Sequence, residues 1–252
     1  MVASREVWRT NALNDNTIAT IYAVGVGPGD PELITRKAER ILRSVDVICA
    51  PTGQAEAASF ALSIVEPYLD RSRQTIIEQV FPMKKEEADL LPFWVEAAAT
   101  VAAHARAGRS VAFITIGDPF LYSTFLYIYR ILKEDYADVP LEIIPGISSV
   151  FAAAAAAGVP LGMSSDRIAI LPATYETDKL RQVLLDFDTV VLMKVHRRFE
   201  QIYALLDETG RLDEAVYVRR VGSASEEVVG DLRSLVGKPL DYLSLIIVTK
   251  CR

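Results

Sequence analysis

Short apolar runs and stretches of helical spacing alternate along this chain almost from its start. Residues 18–26 are rich in β-formers and run into the turn-forming GVGPGDP at 25–31. Asp30 followed by Pro31 reads as an N-cap with proline at the first helical position. Leu33, Ile34, Ala38, Ile41 and Leu42 then recur on one helical face. Residues 45–50 are a short apolar run bounded by Pro51 and Gly53, hence a buried strand, and residues 56–69 and 94–107 are helical in pattern, the second closed by Gly108. Strands follow at 110–116 and 141–144, each ending in a Gly/Pro turn, and the alanine-rich 150–157 is a close-packing helix stopped by Gly158 and Pro160.

A cluster of glycine, proline and serine at 158–166 then marks a boundary. Beyond it, 167–171, 189–195, 215–220 and 243–250 read as strands, 180–185 and 199–206 as helices, and Val228–Val229 as the closure of a hairpin. Alternating β and α elements predict mostly parallel sheet covered on both faces. The expected architecture is two α/β domains, at 20–160 and 166–252, meeting across a cleft, after an N-terminal tail at 1–19.

Composition narrows the function. The chain has 252 residues, 51% of them hydrophobic, which is ample for a buried core. Its 27 Lys+Arg against 33 Asp+Glu give a net charge of −6, which argues against a nucleic-acid-binding surface. Cys49, Cys251, His104 and His196 stand apart from one another, so neither a disulfide scaffold nor a metal site is expected. No segment approaches the roughly 18 consecutive apolar residues of a membrane span. The opening stretch carries Arg5, Glu6, Arg9 and Asp15 without an apolar core, so it reads as a tail rather than a secretory signal, and the expected setting is cytoplasmic.

Ligands of open α/β sheets bind beyond the carboxyl ends of the strands. Three loops hold such places: GVGPGDP at 25–31, IGDPFLYS at 116–123 and IPGISS at 144–149. Their glycines let backbone approach a ligand closely, and helix N-termini offer unpaired N–H donors. The first loop is a poor dinucleotide fingerprint, because Asp30 stands where a third glycine is needed and would repel a pyrophosphate. No Gly-Lys-Ser/Thr follows, which excludes a Walker loop. The expected ligand carries little or no phosphate. Taken alone, Asp118 is equally readable as a turn residue, Ser148 and Ser149 as caps of the alanine helix, and Met193 as core.

Taken together, VGVGPGDPELIT (24–35), ITIGDPFLYSTF (114–125), IPGISS (144–149), VVLMKV (190–195) and YLSLIIV (242–248) resemble the tetrapyrrole methylases over nearly the whole chain. SIVEPYL (63–69), VFPM (80–83), GDPFLYSTF and LMKV are most similar to the branch that methylates C-20 of precorrin-2 or cobalt-factor II. The resemblance implies a dimeric methyltransferase that uses S-adenosylmethionine, with the donor folded up in the interdomain cleft and a tetrapyrrole as substrate. It places Pro28 in the first loop, Ile116, Gly117, Asp118 and Leu121 in the donor loop, Ser148 and Ser149 after the Pro-Gly turn, and Met193 and Val221 where backbone holds the adenine. Relatives that methylate uroporphyrinogen carry a tyrosine–aspartate pair just after the second strand. Here Ala50 and Pro51 stand there, so no carboxylate marks the proton acceptor, and Tyr122, beside the donor loop, is the candidate to assist. Arg197, Arg198, Arg219 and Arg220, at the ends of second-domain strands, are the candidates to meet substrate carboxylates. A diphthine-synthase-like protein methyltransferase, another corrin-pathway methylase, a non-catalytic carrier and a nicotinamide oxidoreductase are the competing readings.

Overall fold

A computed structural model describes residues 17–53, 59–82, 87–174 and 176–250. Most of the expected tail, Met83 of the VFPM motif, Lys84 and Lys85 before the third helix, and Cys251 lie outside those residues.

The first sheet is built from β1 (Ile21–Gly25), β2 (Val47–Thr52), β3 (Thr75–Val80), β4 (Val111–Thr115) and β5 (Leu141–Ile144), in the order β3-β2-β4-β1-β5. Every pairing in it is parallel. Both faces are covered. Ile21, Ala23, Val47, Cys49, Val111 and Phe113 pack against Trp94, Val101, Phe125 and Ile128 of α3 (Glu87–Arg106) and α4 (Phe125–Asp135). The alternate positions Val24, Ile48, Ala112 and Ile114 pack against Ala38, Leu42, Leu62 and Ile64 of α1 (Arg36–Ser44) and α2 (Phe60–Val65). Burial on both faces is why these strands read as unbroken apolar runs.

Two local expectations change. Asp30 accepts from the Glu32 amide at 2.8 Å, but it caps only the 3-10 turn Pro31–Leu33. The helix proper starts at Arg36, capped by Thr35, whose hydroxyl accepts from the Ala38 amide. Strand β3, which has no counterpart in the sequence pattern, sits at the sheet edge, where Glu78 and Gln79 interrupt its apolar positions. Its lead-in is tied down by Gln74, whose amide donates to the carbonyls of Leu42 (2.7 Å) and Val45 (2.8 Å) and so satisfies the last turn of α1.

The second sheet departs from the expected mostly parallel pattern. Its strands are β6 (Ile168–Pro172), β7 (Thr189–Met193), β8 (Ala215–Arg219), β9 (Glu227–Val229) and β10 (Ser244–Thr249), ordered β6-β7-β10-β8-β9. Only β6 and β7 are parallel. The last strand, β10, inserts between β7 and β8 and runs against both, and β8 and β9 form the expected hairpin. Apolar periodicity carries no information about strand direction, so element order alone could not reveal this.

Helices α6 (Thr177–Asp186) and α7 (Phe199–Glu208) cover one face of this sheet. The other face is covered from the first half of the chain. Val150, Ala153 and Ala154 of α5 (Ser149–Ala157) pack against Val191, Val216, Val218, Leu245 and Ile247. Alanine keeps that helix thin enough to lie flat on the strands. Ser148 caps its start, accepting from the Val150 amide, and left-handed Gly158 (φ 66°) closes it.

Candidate functional site

The three loops singled out in the sequence leave the carboxyl ends of β4, β1 and β5, which are neighbours in the sheet. They nest on their glycines. Gly27 and Gly117 exchange backbone hydrogen bonds, the Gly117 amide reaching the Gly27 carbonyl at 2.7 Å. A Cβ on Gly25 would stand 2.6 Å from the Gly117 oxygen and 2.6 Å from the Gly146 nitrogen, and one on Gly146 would stand 2.1 Å from the Gly117 oxygen. Those neighbours are backbone, so no side chain fits at either position. Asp118 stitches the nest together: Oδ1 accepts from the Phe120 amide (2.8 Å) and Oδ2 from the Gly146 amide (3.0 Å).

The second half closes onto this nest at three points. A Cβ on Gly29 would meet the Val221 carbonyl oxygen at 2.8 Å, and one on Gly222 (φ 78°) the Asp30 nitrogen at 2.9 Å, so the first loop and the turn after β8 touch backbone to backbone. The Tyr122 hydroxyl donates to the Ile170 carbonyl on β6 at 2.9 Å. Lys194 Nζ stands 3.5 Å from the Tyr122 carbonyl. Between these contacts lies a cavity of about 730 Å³, a size suited to a small organic ligand.

Pro28, Ile116, Gly117, Asp118, Leu121, Tyr122, Ser148, Ser149, Met193, Arg220 and Val221 all line it. The other three arginines expected here do not. Arg219 turns along the sheet to pair with Glu227 on β9 at 2.6 Å. Arg198 donates to Gln201 (2.7 Å) and to the Thr174 carbonyl (3.2 Å), and Arg197 lies exposed on the 3-10 turn Val195–Arg197. Proximity to a strand end did not fix which way each side chain points.

Lys194, Asp241 and Tyr242 line the cavity without having been anticipated as site residues. Among the described residues four non-glycine residues have positive φ, and three of them face this cavity: Tyr122 (50°), Lys194 (62°) and Arg220 (44°). Such backbone is costly for residues with a Cβ, and it gathers where side chains must be aimed. Nothing in the residue types announces it. Arg220 Nε donates to Asp241 Oδ2 at 2.6 Å, and the Leu243 amide donates to Oδ1 at 2.8 Å. Burial pushes the Asp241 carboxyl up, but these two bonds together with the positive charges of Arg220 and Arg219 outweigh it and hold it below the ordinary range. Burial raises the phenols of Tyr122 and Tyr242, the second opposed by Arg197, and lowers the Lys194 ammonium. Pro51, in β2, also borders the cavity.

Elsewhere, a hollow of about 570 Å³ lies over Arg36, Lys37, Glu39, Arg40 and Arg43, all on the exposed face of α1, and one helix cannot enclose a ligand. Among the described residues no group of His, Cys, Asp and Glu has metal-ligating geometry, and no helix is long and apolar enough to cross a membrane.

Two α/β layers sharing one cavity at the carboxyl edge of a parallel sheet define the class of fold. Residues 20–236 match the tetrapyrrole (corrin/porphyrin) methylases, and the chain belongs to that family of methyltransferases. It is similar to the cobalt-precorrin-2 C(20)-methyltransferase of Salmonella typhimurium, at 38% identity over 91% of this chain and 96% of that protein. It is also similar to the precorrin-2 C(20)-methyltransferase of a Sinorhizobium species, at 32% identity over 92% of this chain and 95% of that one. The solved structure of uroporphyrin-III C-methyltransferase from Thermus thermophilus, complexed with S-adenyl homocysteine, has the same fold, with a TM-score of 0.66 at 24% identity over 92% of this chain and 98% of that one.

Proposed function

We propose that this chain is an S-adenosylmethionine-dependent C-methyltransferase that adds one methyl to the C-20 bridge carbon of precorrin-2 or cobalt-factor II in cobalamin biosynthesis. Likeness to C(20)-methyltransferases along nearly the full length of both chains supports the substrate and the position. The observation that carries the donor assignment is the make-up of the first-half wall: Gly117, Ser148 and Ser149 present backbone and small side chains beside Ile116, with Asp118 the only charged member among the described residues. That wall suits a positive sulfonium and would not hold a pyrophosphate.

When bound, S-adenosylmethionine supplies a methyl group already activated on positive sulfur. The protein's part is then alignment in a cleft that sheds water. Gly117, Asp118 and the 148–149 turn hold the amino-acid end in this reading, while Met193 and Val221 hold the adenine through backbone. Arg220, neutralised in part by Asp241, is the cation placed to meet a substrate carboxylate. Tyr122 joins the donor loop to β6 through its hydroxyl, which sets the width of the cleft.

The same proposal takes 20–160 and 166–252 as the two domains, with α5 crossing to the second sheet, and a cytoplasmic homodimer as the working form. Phe151 and Met163, each more than half exposed, are apolar side chains a second copy would cover.

The test is incubation with labelled methyl donor and either metal-free dihydrosirohydrochlorin or cobalt-loaded sirohydrochlorin, read by mass spectrometry. One methyl gained is the expected product. Two methyls, or none with either substrate, would overturn the reading.

A further inference from the structure

The proton displaced when a methyl replaces hydrogen on a ring-bridging carbon needs an acceptor, and the described cavity wall offers few. Asp118 spends both carboxylate oxygens on the amides of Phe120 and Gly146. Asp241 is taken by Arg220 and the Leu243 amide. Tyr122 already gives its hydroxyl proton to the Ile170 carbonyl, and burial makes both its phenol and that of Tyr242 harder to ionise. The Arg220 guanidinium carries donors and no acceptor. Lys194 is what remains.

Its surroundings differ from those of an ordinary surface lysine. No carboxylate among the described residues pairs with it, whereas Lys37, Lys179 and Lys250 each pair with an acid. Among the described residues, the hydrogen-bond contact of its ammonium is the Tyr122 carbonyl at 3.5 Å, beyond the usual length for such a bond. Leu121, Met193, Val218 and Leu245 share the wall with it. The left-handed backbone at Lys194 (φ 62°) breaks the line of β7, and the side chain faces the cavity. Burial lowers its titration, and a sulfonium bound nearby would lower it further.

We propose that Lys194 is the proton acceptor of the methyl transfer, its uncharged Nζ taking the proton that leaves the methylated carbon. The step balances without a further reactant. The carbon's electron pair forms the C–CH₃ bond as the S–CH₃ bond breaks, leaving a neutral thioether. The C–H pair then returns to the macrocycle, the proton moves to Nζ, and the resulting ammonium releases it to solvent. This inference rests on the methyltransferase reading above, and it assigns the acceptor that the missing carboxylate at Pro51 leaves open.

Two measurements test it. In the unaltered protein, the rate of acetic anhydride labelling at Lys194 is followed against pH by peptide mass spectrometry, with Lys133 and Lys238 as references. The expected half-point for Lys194 lies below theirs, and a shared half-point would overturn the proposal. This arm needs no tetrapyrrole, so it stands or falls separately from the C-20 assignment. The second arm compares Lys194→Arg and Lys194→Met on whichever tetrapyrrole the wild type methylates. Both should lose about 100-fold in kcat, the order expected for one acid–base group, with donor Kd by calorimetry nearly unchanged. A Lys194→Arg variant that keeps its kcat, with the loss in Lys194→Met confined to KM, would make Lys194 a carboxylate anchor and refute the proton role. If either variant fails to fold, the labelling of the unaltered chain decides.

Discussion

The loops after β4, β1 and β5 bring the compact residues Pro28, Gly117, Asp118, Ser148 and Ser149 to the cavity, whereas the turns after β7 and β8 bring the long cationic side chains of Lys194 and Arg220. The first wall is rigid because its glycines interlock and one carboxylate bridges them. The second is aimed, with non-glycine residues held in left-handed backbone. The division fits two different tasks. A positive donor is best met by preorganised peptide dipoles and few cations, while a polycarboxylate substrate and a departing proton call for titratable side chains. Sheet type follows the same line. An all-parallel sheet gathers its strand-to-helix loops at one edge, while the mixed second sheet sends only some of its turns to the cleft.

The comparison is most easily broken at the glycine nest. Gly146→Ala puts a methyl 2.1 Å from the Gly117 oxygen and 2.7 Å from the Gly25 carbonyl carbon, both backbone, so the loops must part. A cost of about 1–3 kcal/mol or more in stability is expected, with donor affinity falling at least about tenfold. Gly230→Ala, which meets nothing within 4 Å, is the control and should melt near wild type. If the two melt and bind alike, the first wall is not rigid.

Asp118→Ala comes next. It strips the partner from the exposed Phe120 amide and the half-buried Gly146 amide, and the second carries a penalty of up to about 1–3 kcal/mol. Thermal midpoint and donor affinity should therefore drop together in scanning and titration calorimetry. A weakened affinity with an unchanged midpoint would instead mean that the carboxylate acts on the donor directly.

On the opposite wall, removing a charge should leave the donor alone. Arg220→Ala is expected to raise KM for the tetrapyrrole about fivefold, in a salt-dependent way, with donor Kd untouched. Arg219→Ala and Arg198→Ala, whose side chains are engaged away from the cavity, should leave KM near wild type. Equal effects at all three would erase the distinction drawn from the structure.

The smallest effect lies at the far end of the first sheet. Asp46 accepts from the Ser110 amide and hydroxyl, both at 2.8 Å, joining the starts of β2 and β4. The Ser110 hydroxyl holds its carboxyl below the ordinary range; burial opposes this, and the Ser110 amide and nearby Arg109 and Arg73 reinforce it. Because the folded value is the depressed one, this stability is fully present above the unfolded carboxyl value of about 3.9 and is lost as pH falls through the folded value. Asp46→Asn should lower stability near neutrality by about 1 kcal/mol or less, and flatten the decline of the melting temperature below about pH 4. Wild type and variant melting in parallel across that window would contradict the linkage.

Much of the first wall was legible in the sequence because glycine and proline declare backbone geometry directly. Gly25 and Gly146 stand where a Cβ would strike backbone, Gly117 has the left-handed backbone (φ 70°) that favours glycine, and strand, loop and helix follow in order around them. The second wall was only partly legible. Met193 and Val221 came from family likeness, and Lys194 passed unnoticed within LMKV, because a lysine after a strand looks solvated until the fold buries it. Arg219 and Arg220 are adjacent and chemically identical, yet one pairs along the sheet with Glu227 and the other enters the cavity, a difference made by one left-handed residue. The direction of β10 was beyond reach for a different reason: an apolar strand buries equally well either way, and its neighbours are set only once β7 and β8 are in place.

The most direct test of two unlike walls sharing one donor site is a crystal structure of the complex with S-adenosylhomocysteine. The account predicts its amino-acid end on the backbone of Gly117, Asp118 and the 148–149 turn, its adenine against the backbone of Met193 and Val221, and its sulfur facing open space beside Lys194. Density for the ligand outside this cavity, or with its amino-acid end held by Arg220 instead of the glycine nest, would contradict it.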